Sequence, residues 1–196
     1  MFKETSVVTI DRFASGLTYD EYIAQIKVNK DKFEQFYKQC TVSAEDTEFF
    51  KSAAGRPGGP AKLLVIGEDW SPDVYRGMPT MARIAEAANI AMRIFPRDQN
   101  MDIMNEFLKH GQFNSIPVAV FYTSDHKYLC HWIERPNIAD KERAEIQKQT
   151  EREMNTVSAE ELRSLIREKT QARQSDWQQE SIKEMRLLIS GALTGI

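Results

Sequence analysis

The spacing of apolar and polar positions changes along the chain and marks out its elements. Val7 to Ile10 form a short apolar patch inside Met1 to Gly16, a stretch with no further pattern that reads as a poorly defined leader. Ile23, Ile26, Phe33, Phe36, Tyr37 and Cys40 then recur at near-helical spacing, which predicts a helix with one face on the core. It opens at Thr18-Tyr19-Asp20-Glu21, a capping box in which threonine caps a backbone donor and glutamate reaches back. Ser43-Ala44-Glu45-Asp46 starts a shorter helix with Phe49 and Phe50 inward. Gly55 to Pro60 is a loop. It precedes a strand and lacks the Gly-Lys-Ser/Thr ending of a phosphate-binding loop.

The rest of the chain is organised around Lys62 to Arg83. Leu63 to Ile66 is a branched apolar run of the length expected for a strand buried on both faces. After the turn Glu68-Asp69-Trp70 comes a helix start: Ser71 to cap, Pro72 at the first helical position, Asp73 in the first turn. A strand leading through a short turn into a helix N-terminus commonly presents chemistry at the turn. The helix continues through Met78, Met81, Ile84, Ala85 and Ala88, a stripe that reads as core packing.

Ile90 to Phe95 is the next strand, and Gln99 to His110 the next helix, with His110 at its C-terminus beside Gly111. Val118 to Tyr122 and Tyr128 to Ile133 flank the polar turn Thr123 to Lys127 and predict a hairpin. The order β-α-β-α-β-β, with helices before it, points to an α/β sheet of mixed direction. Beyond Asn137 the chain becomes charge-dense over Asp140 to Glu153. Ser158-Ala159-Glu160-Glu161 then opens one long helix or two, apolar at Leu162, Leu165, Ile166, Trp177, Ile182, Met185, Leu188 and Ile189. This apolar side packs on the sheet or on a second subunit, the latter giving a homodimer through the C-terminal helices. Its spacing is not heptad-regular, which argues against a coiled coil.

The charge balance narrows the partners. Twenty-six Lys and Arg against 29 Asp and Glu give a net charge of -3, without the basic excess expected of a nucleic-acid binder. No signal sequence and no apolar run near the roughly 20 residues needed to span a bilayer are present, so the expectation is a cytoplasmic chain with no membrane role. Cys40 and Cys130 lie in unlike contexts and form no metal-ligand pattern, so no metal site is expected. Each reads as a buried structural thiol.

Trp70 followed by Ser71-Pro72-Asp73-Val74 resembles the active-site turn of a thioredoxin-fold protein, where tryptophan precedes a C-x-x-C motif at a helix start. Pro79 stands where that family carries a helix-kinking proline. Ser115-Ile116-Pro117-Val118-Ala119-Val120-Phe121 resembles its Ile-Pro-strand signature, in which the proline is cis and faces the motif. The resemblance implies a thioredoxin-like fold, a central mixed β-sheet flanked by helices. Residues 62–136 would form the core, with 1–61 an N-terminal and 137–196 a C-terminal helical extension, all one compact domain.

The departures from the family decide the chemistry. Ser71 and Val74 hold the two cysteine positions, and Val65 stands where the family buries an acid as proton relay. A hydroxyl without an adjacent base is a far poorer nucleophile than a thiolate, and Val74 cannot resolve a mixed disulfide. Dithiol exchange at this turn is therefore set aside. What the resemblance retains is the binding half: a helix N-terminus that attracts anions, an Ile116-Pro117 loop able to pair with an extended peptide, and Trp70 as an apolar platform. The reading is a redox-inactive binding or scaffold module for a protein or peptide, with no cofactor. The alternatives are a glutathione-transferase-like enzyme that activates glutathione or a related thiol through Ser71, and a monothiol enzyme using Cys130 or Cys40. A plain structural role for Ser71, as cap of its own helix, stands beside these. Glu68 and Asp69 make the turn acidic, and Arg76, Arg97 and Arg135 offset them only if the fold brings them near.

Overall fold

The computed structural model describes residues 6–154 and 157–195. Met1 to Thr5 of the expected leader lie outside the described residues. Helices α1 (Ile10–Ala14), α2 (Tyr19–Gln25), α3 (Lys30–Gln39) and α4 (Ala44–Ala54) come first, then strand β1 (Lys62–Gly67), helix α5 (Pro72–Ala88) and strand β2 (Ala91–Pro96). A short α6 (Met101–Met104) precedes the hairpin β3 (Val118–Tyr122) and β4 (Tyr128–Ile133). Helices α7 (Asn137–Glu153), α8 (Ala159–Ala172) and α9 (Gln174–Thr194) complete the chain.

The strands form one sheet in the order β2-β1-β3-β4. β1 runs parallel to β2, reached through the α5 crossover, and antiparallel to β3. Central placement explains the unbroken apolar run: Leu63, Leu64, Val65 and Ile66 are all fully buried, as are Val118 to Phe121 of β3. α3, α4 and α9 pack on α5, and α9 also packs along β4. Trp177, Ile182, Met185 and Ile189 thereby turn the apolar side of α9 inward, while Leu187 and Leu188 stay exposed. Among the described residues no helix is long and apolar enough to cross a membrane.

Three expectations from the pattern need correction. The leader is built into the fold from Ser6 onward. The Val7 amide donates to the Glu106 carboxylate at 2.7 Å, Val8 is buried, and Leu17 exchanges backbone hydrogen bonds with Ile94 of β2. Gly16 permits that approach, because a Cβ there would lie 2.5 Å from the Phe95 ring.

The single helix expected from Thr18 to Cys40 is two helices. Its capping box is present, but the Lys27 and Val28 amides donate to the Asp69 carboxylate, at 2.8 and 3.2 Å, instead of to helical carbonyls. Asn29 then turns left-handed at φ 58°. The break also moves the buried face, so Tyr22, not Ile23, is the buried residue of α2.

The helix expected from Gln99 to His110 shrinks to a 3-10 turn, Arg97–Gln99, and the four residues of α6. His110 and Gly111 both adopt positive φ, in a tight turn where Lys109 and Phe113 bridge. His110 is thus a turn residue and not a helix C-terminus. The apolar side was still legible: Ile103, Met104 and Phe107 are buried.

Candidate functional site

The turn between β1 and α5 sits at the carboxyl end of the parallel pair, the edge where open α/β sheets bind ligands. Trp70 projects outward, 49% exposed, with the Arg97 guanidinium 5.0 Å from its ring centre. Pro72 is also exposed. Ser71, Val74, Ile116 and Pro117 are buried. The residues that the resemblance groups as one binding face are therefore divided between an outer pair and an inner set.

Ser71 does occupy the N-cap position, with extended backbone at φ -83° and ψ 125°. Its carbonyl accepts from the Val74 and Tyr75 amides at 3.1 and 3.2 Å. The expected cap by its side chain is absent: the hydroxyl makes no capping bond, and the residue is only 6% exposed. Pro72 at the first helical position brings no amide hydrogen, and the Val74 amide, one of the two donors a side-chain cap would serve, bonds the Ser71 carbonyl instead.

The Ile116–Pro117 peptide is cis. Pro117 packs on α5, where a Cβ on Gly77 would lie 3.1 Å from the proline Cγ. The Pro117 carbonyl accepts from the Glu134 amide at 2.7 Å.

Each carboxylate at the turn has found a protein partner. Glu68 accepts from the Asp98 amide at 2.7 Å, and burial raises its pKa above the ordinary carboxylate value. Asp69 holds the Lys27–Val28 loop, and its carbonyl accepts from the Asn29 side chain at 2.9 Å. Asp73 receives Arg135 at 2.6 Å, with Arg76 and Arg143 each at 3.8 Å. Of the three arginines expected to offset Glu68 and Asp69, Arg97 lies over Trp70, whereas Arg76 and Arg135 are held at Asp73. Arg143 of α7 and Asn29 were not singled out, because nothing in their local sequence distinguishes them from solvated surface residues.

The cysteines are elsewhere. Cys130 stands opposite Phe121, which stands opposite Leu63. That row lies three residues, or about 10 Å, from the Ile66 row at the turn end of β1. Burial pushes the Cys130 thiol up to about 12. Cys40, at the end of α3, donates to the Thr80 hydroxyl at 3.8 Å, and burial raises its pKa as well. Thr80 lies nine residues along α5 from Ser71, about 13 Å at helical rise. Among the described residues, no cluster of three or more His, Cys, Asp or Glu could hold a metal ion.

Beside the turn lies a cleft of about 550 Å³ between the Ser15–Lys27 segment and the ends of β1 and β2. Leu17, Ile94 and Phe95 supply apolar wall, and Glu68 and Asp69 supply charge. Tyr22 also lines it. Its ring meets Phe33 edge-on at 5.8 Å, and its buried hydroxyl has no hydrogen-bond partner among the described residues. Burial, with Asp69 and Glu68 nearby, raises the Tyr22 pKa. Sequence reasoning missed this cleft because it needs the break between α2 and α3.

The family model described as thioredoxin matches residues 16–150. The chain belongs to the thioredoxin family. The matched span starts well before β1, so α2 to α4 fall inside the family unit along with the sheet. A solved Pseudomonas aeruginosa protein of unknown function is similar over 94% of this chain and 99% of its own, with a TM-score of 0.66 at 16% identity. An HIV epitope-scaffold is similar over 95% of this chain and 99% of its own, with a TM-score of 0.64 at 15% identity. Likeness at these identities speaks for the fold. No curated protein matches the chain.

Proposed function

We propose that this thioredoxin-family chain acts by binding a protein or peptide segment at the surface around Trp70, without dithiol–disulfide exchange. The observation that carries this is the placement of sulfur. Ser71 and Val74 hold the motif positions, and both cysteines are buried about 10 Å or more from them along β-sheet and helix. A thiolate must reach a disulfide sulfur to attack it, and neither Cys40 nor Cys130 has such access. The burial of Ser71 also argues against a glutathione-activating hydroxyl, and no cofactor is required. Binding is supported by Trp70 and Arg97 stacked at the surface beside exposed Pro72, since tryptophan and arginine dominate interface hot spots.

Insulin reduction with dithiothreitol tests the first half. The protein is expected to leave the rate at the uncatalysed level, whereas Ser71→Cys with Val74→Cys gains turnover. Turnover by the unmodified chain would overturn the reading. Selection of displayed random peptides tests the second half: binders should lose affinity on Trp70→Ala, and a failure to find any Trp70-dependent binder rejects this surface.

A further inference from the structure

The start of α5 gathers more cations than it pairs. Asp73 holds Arg135 through Oδ2 at 2.6 Å. Its other oxygen, Oδ1, faces Arg76 of the same helix and Arg143 of α7, each at 3.8 Å, beyond hydrogen-bond length. Among the described residues neither the Arg76 nor the Arg143 guanidinium donates a hydrogen bond, and Asp73 is the one carboxylate within ion-pair distance of either. Burial lowers the Arg76 pKa, and the charges of Arg143 and Arg135 lower it further against the pull of Tyr75 and Asp73. Lys32 of α3 adds a fourth cation. Its ammonium lies 4.9 Å from the Tyr75 ring centre, and the Arg76 guanidinium lies 5.4 Å from the same centre. Lys32 has no ion pair among the described residues.

These cations are within reach of a ligand and continue the surface that begins at Trp70. The Arg143 side chain is 40% exposed and that of Arg76 is 21% exposed. Exposed Pro72 stands four residues before Arg76, the spacing of neighbours on one helix face, about 6 Å along the axis. Charge is sorted across this surface. The Glu68 and Asp69 carboxylates are turned to the amides of Asp98, Lys27 and Val28, toward the end of β2 and the α2–α3 link. Arg143 arrives from α7. A guanidinium presents paired donors that match a carboxylate, and both Arg76 and Arg143 keep theirs unused.

We propose that the segment bound at the Trp70 surface is an acidic peptide, with one carboxylate side chain seated on Arg76 and Arg143 and Lys32 adding to the attraction. The proposal rests on the reading of that surface as a peptide site and deepens it, because it assigns the partner's charge and the place where that charge docks.

Heptapeptides displayed on phage, panned on the full chain, test it. Binders lost on Trp70→Ala are sequenced, and aspartate and glutamate are expected to be enriched over the unselected library. The leading binders are then synthesised with their acidic residues and with the corresponding amides, and titrated by calorimetry. The amide forms should bind about tenfold more weakly, as for a lost charge-assisted hydrogen bond. Lys32→Gln combined with Arg143→Gln, and separately Arg76→Gln, should shrink that ratio toward one. Trp70-dependent binders without acidic enrichment, or a ratio unchanged in a folded variant, overturn the acidic assignment and leave the peptide surface standing. A library with no Trp70-dependent binder removes both. Lys32 and Arg143 donate no hydrogen bond in the fold, so the double variant decides even where Arg76→Gln fails to fold.

Discussion

The Asp73 carboxylate at the start of α5 meets the Arg135 guanidinium, 62 positions along the chain, at 2.6 Å. This pair ties the helix that follows β1 to the loop that follows β4. Arg135 also bonds Glu134 and Asp140, and Lys109 joins from the other side through Glu134 at 2.6 Å. The network is four-fifths or more buried at Asp73, Arg135 and Glu134, so it is less screened by water than a surface pair.

Asp73→Ala is expected to cost roughly 2 kcal/mol, the scale for a hydrogen bond to a charged group. The loss leaves Arg76, Arg135 and Arg143 facing one another without their shared anion. Asp73→Asn, which keeps one acceptor, should cost less. Urea unfolding of the three proteins measures the order.

Ser71 gives a different contrast. A side chain that capped its helix would cost roughly 1 kcal/mol on replacement by alanine, and aspartate would serve in its place. Since the hydroxyl makes no cap bond and the residue is buried, Ser71→Ala should lower stability by clearly less than that. Ser71→Asp should be the more damaging change, because it buries a charge. A stabilised Ser71→Asp, read by thermal unfolding, would restore the cap.

The two thiols should be silent in the folded protein. Burial holds both in the neutral form, and the thiolate is the reactive species. Iodoacetamide at mildly alkaline pH is expected to label neither Cys40 nor Cys130 in native protein and both in denaturant. Mass spectrometry of each sample counts the adducts. Rapid native labelling of either would refute the burial argument.

Glu68 predicts a pH dependence. Burial raises its folded-state pKa above the ordinary value, so the folded chain holds this proton more tightly than the unfolded one. The resulting stability is full below the unfolded pKa and is lost as pH rises through the folded one. Glu68→Gln, which can still accept from the Asp98 amide, should therefore gain on the unmodified protein at neutral pH. The advantage should fade below the ordinary carboxylate range. Melting temperatures across that range show it; an advantage that grows on acidification would contradict the assignment.

The pattern of residues determined by itself what depends on neighbours in the chain. Leu63 to Ile66 had to be a buried strand, the Thr18–Glu21 box had to start a helix, and the hairpin followed from two β-rich runs around a polar turn. The absent sulfur at Ser71 and Val74 was equally plain. Tertiary structure alone decided where long-range partners outcompete local preference. Asp69 draws off the Lys27 and Val28 amides and splits a helix whose periodicity runs straight through. That split buries Tyr22 where the spacing favoured Ile23, and it opens the cleft beside Glu68. Backbone donors and burial also settled Ser71, whose position at a helix start reads as a cap until the hydroxyl is seen to make no such bond. Helical periodicity reports which face is apolar, but it carries no term for a carboxylate arriving from 41 and 42 residues away.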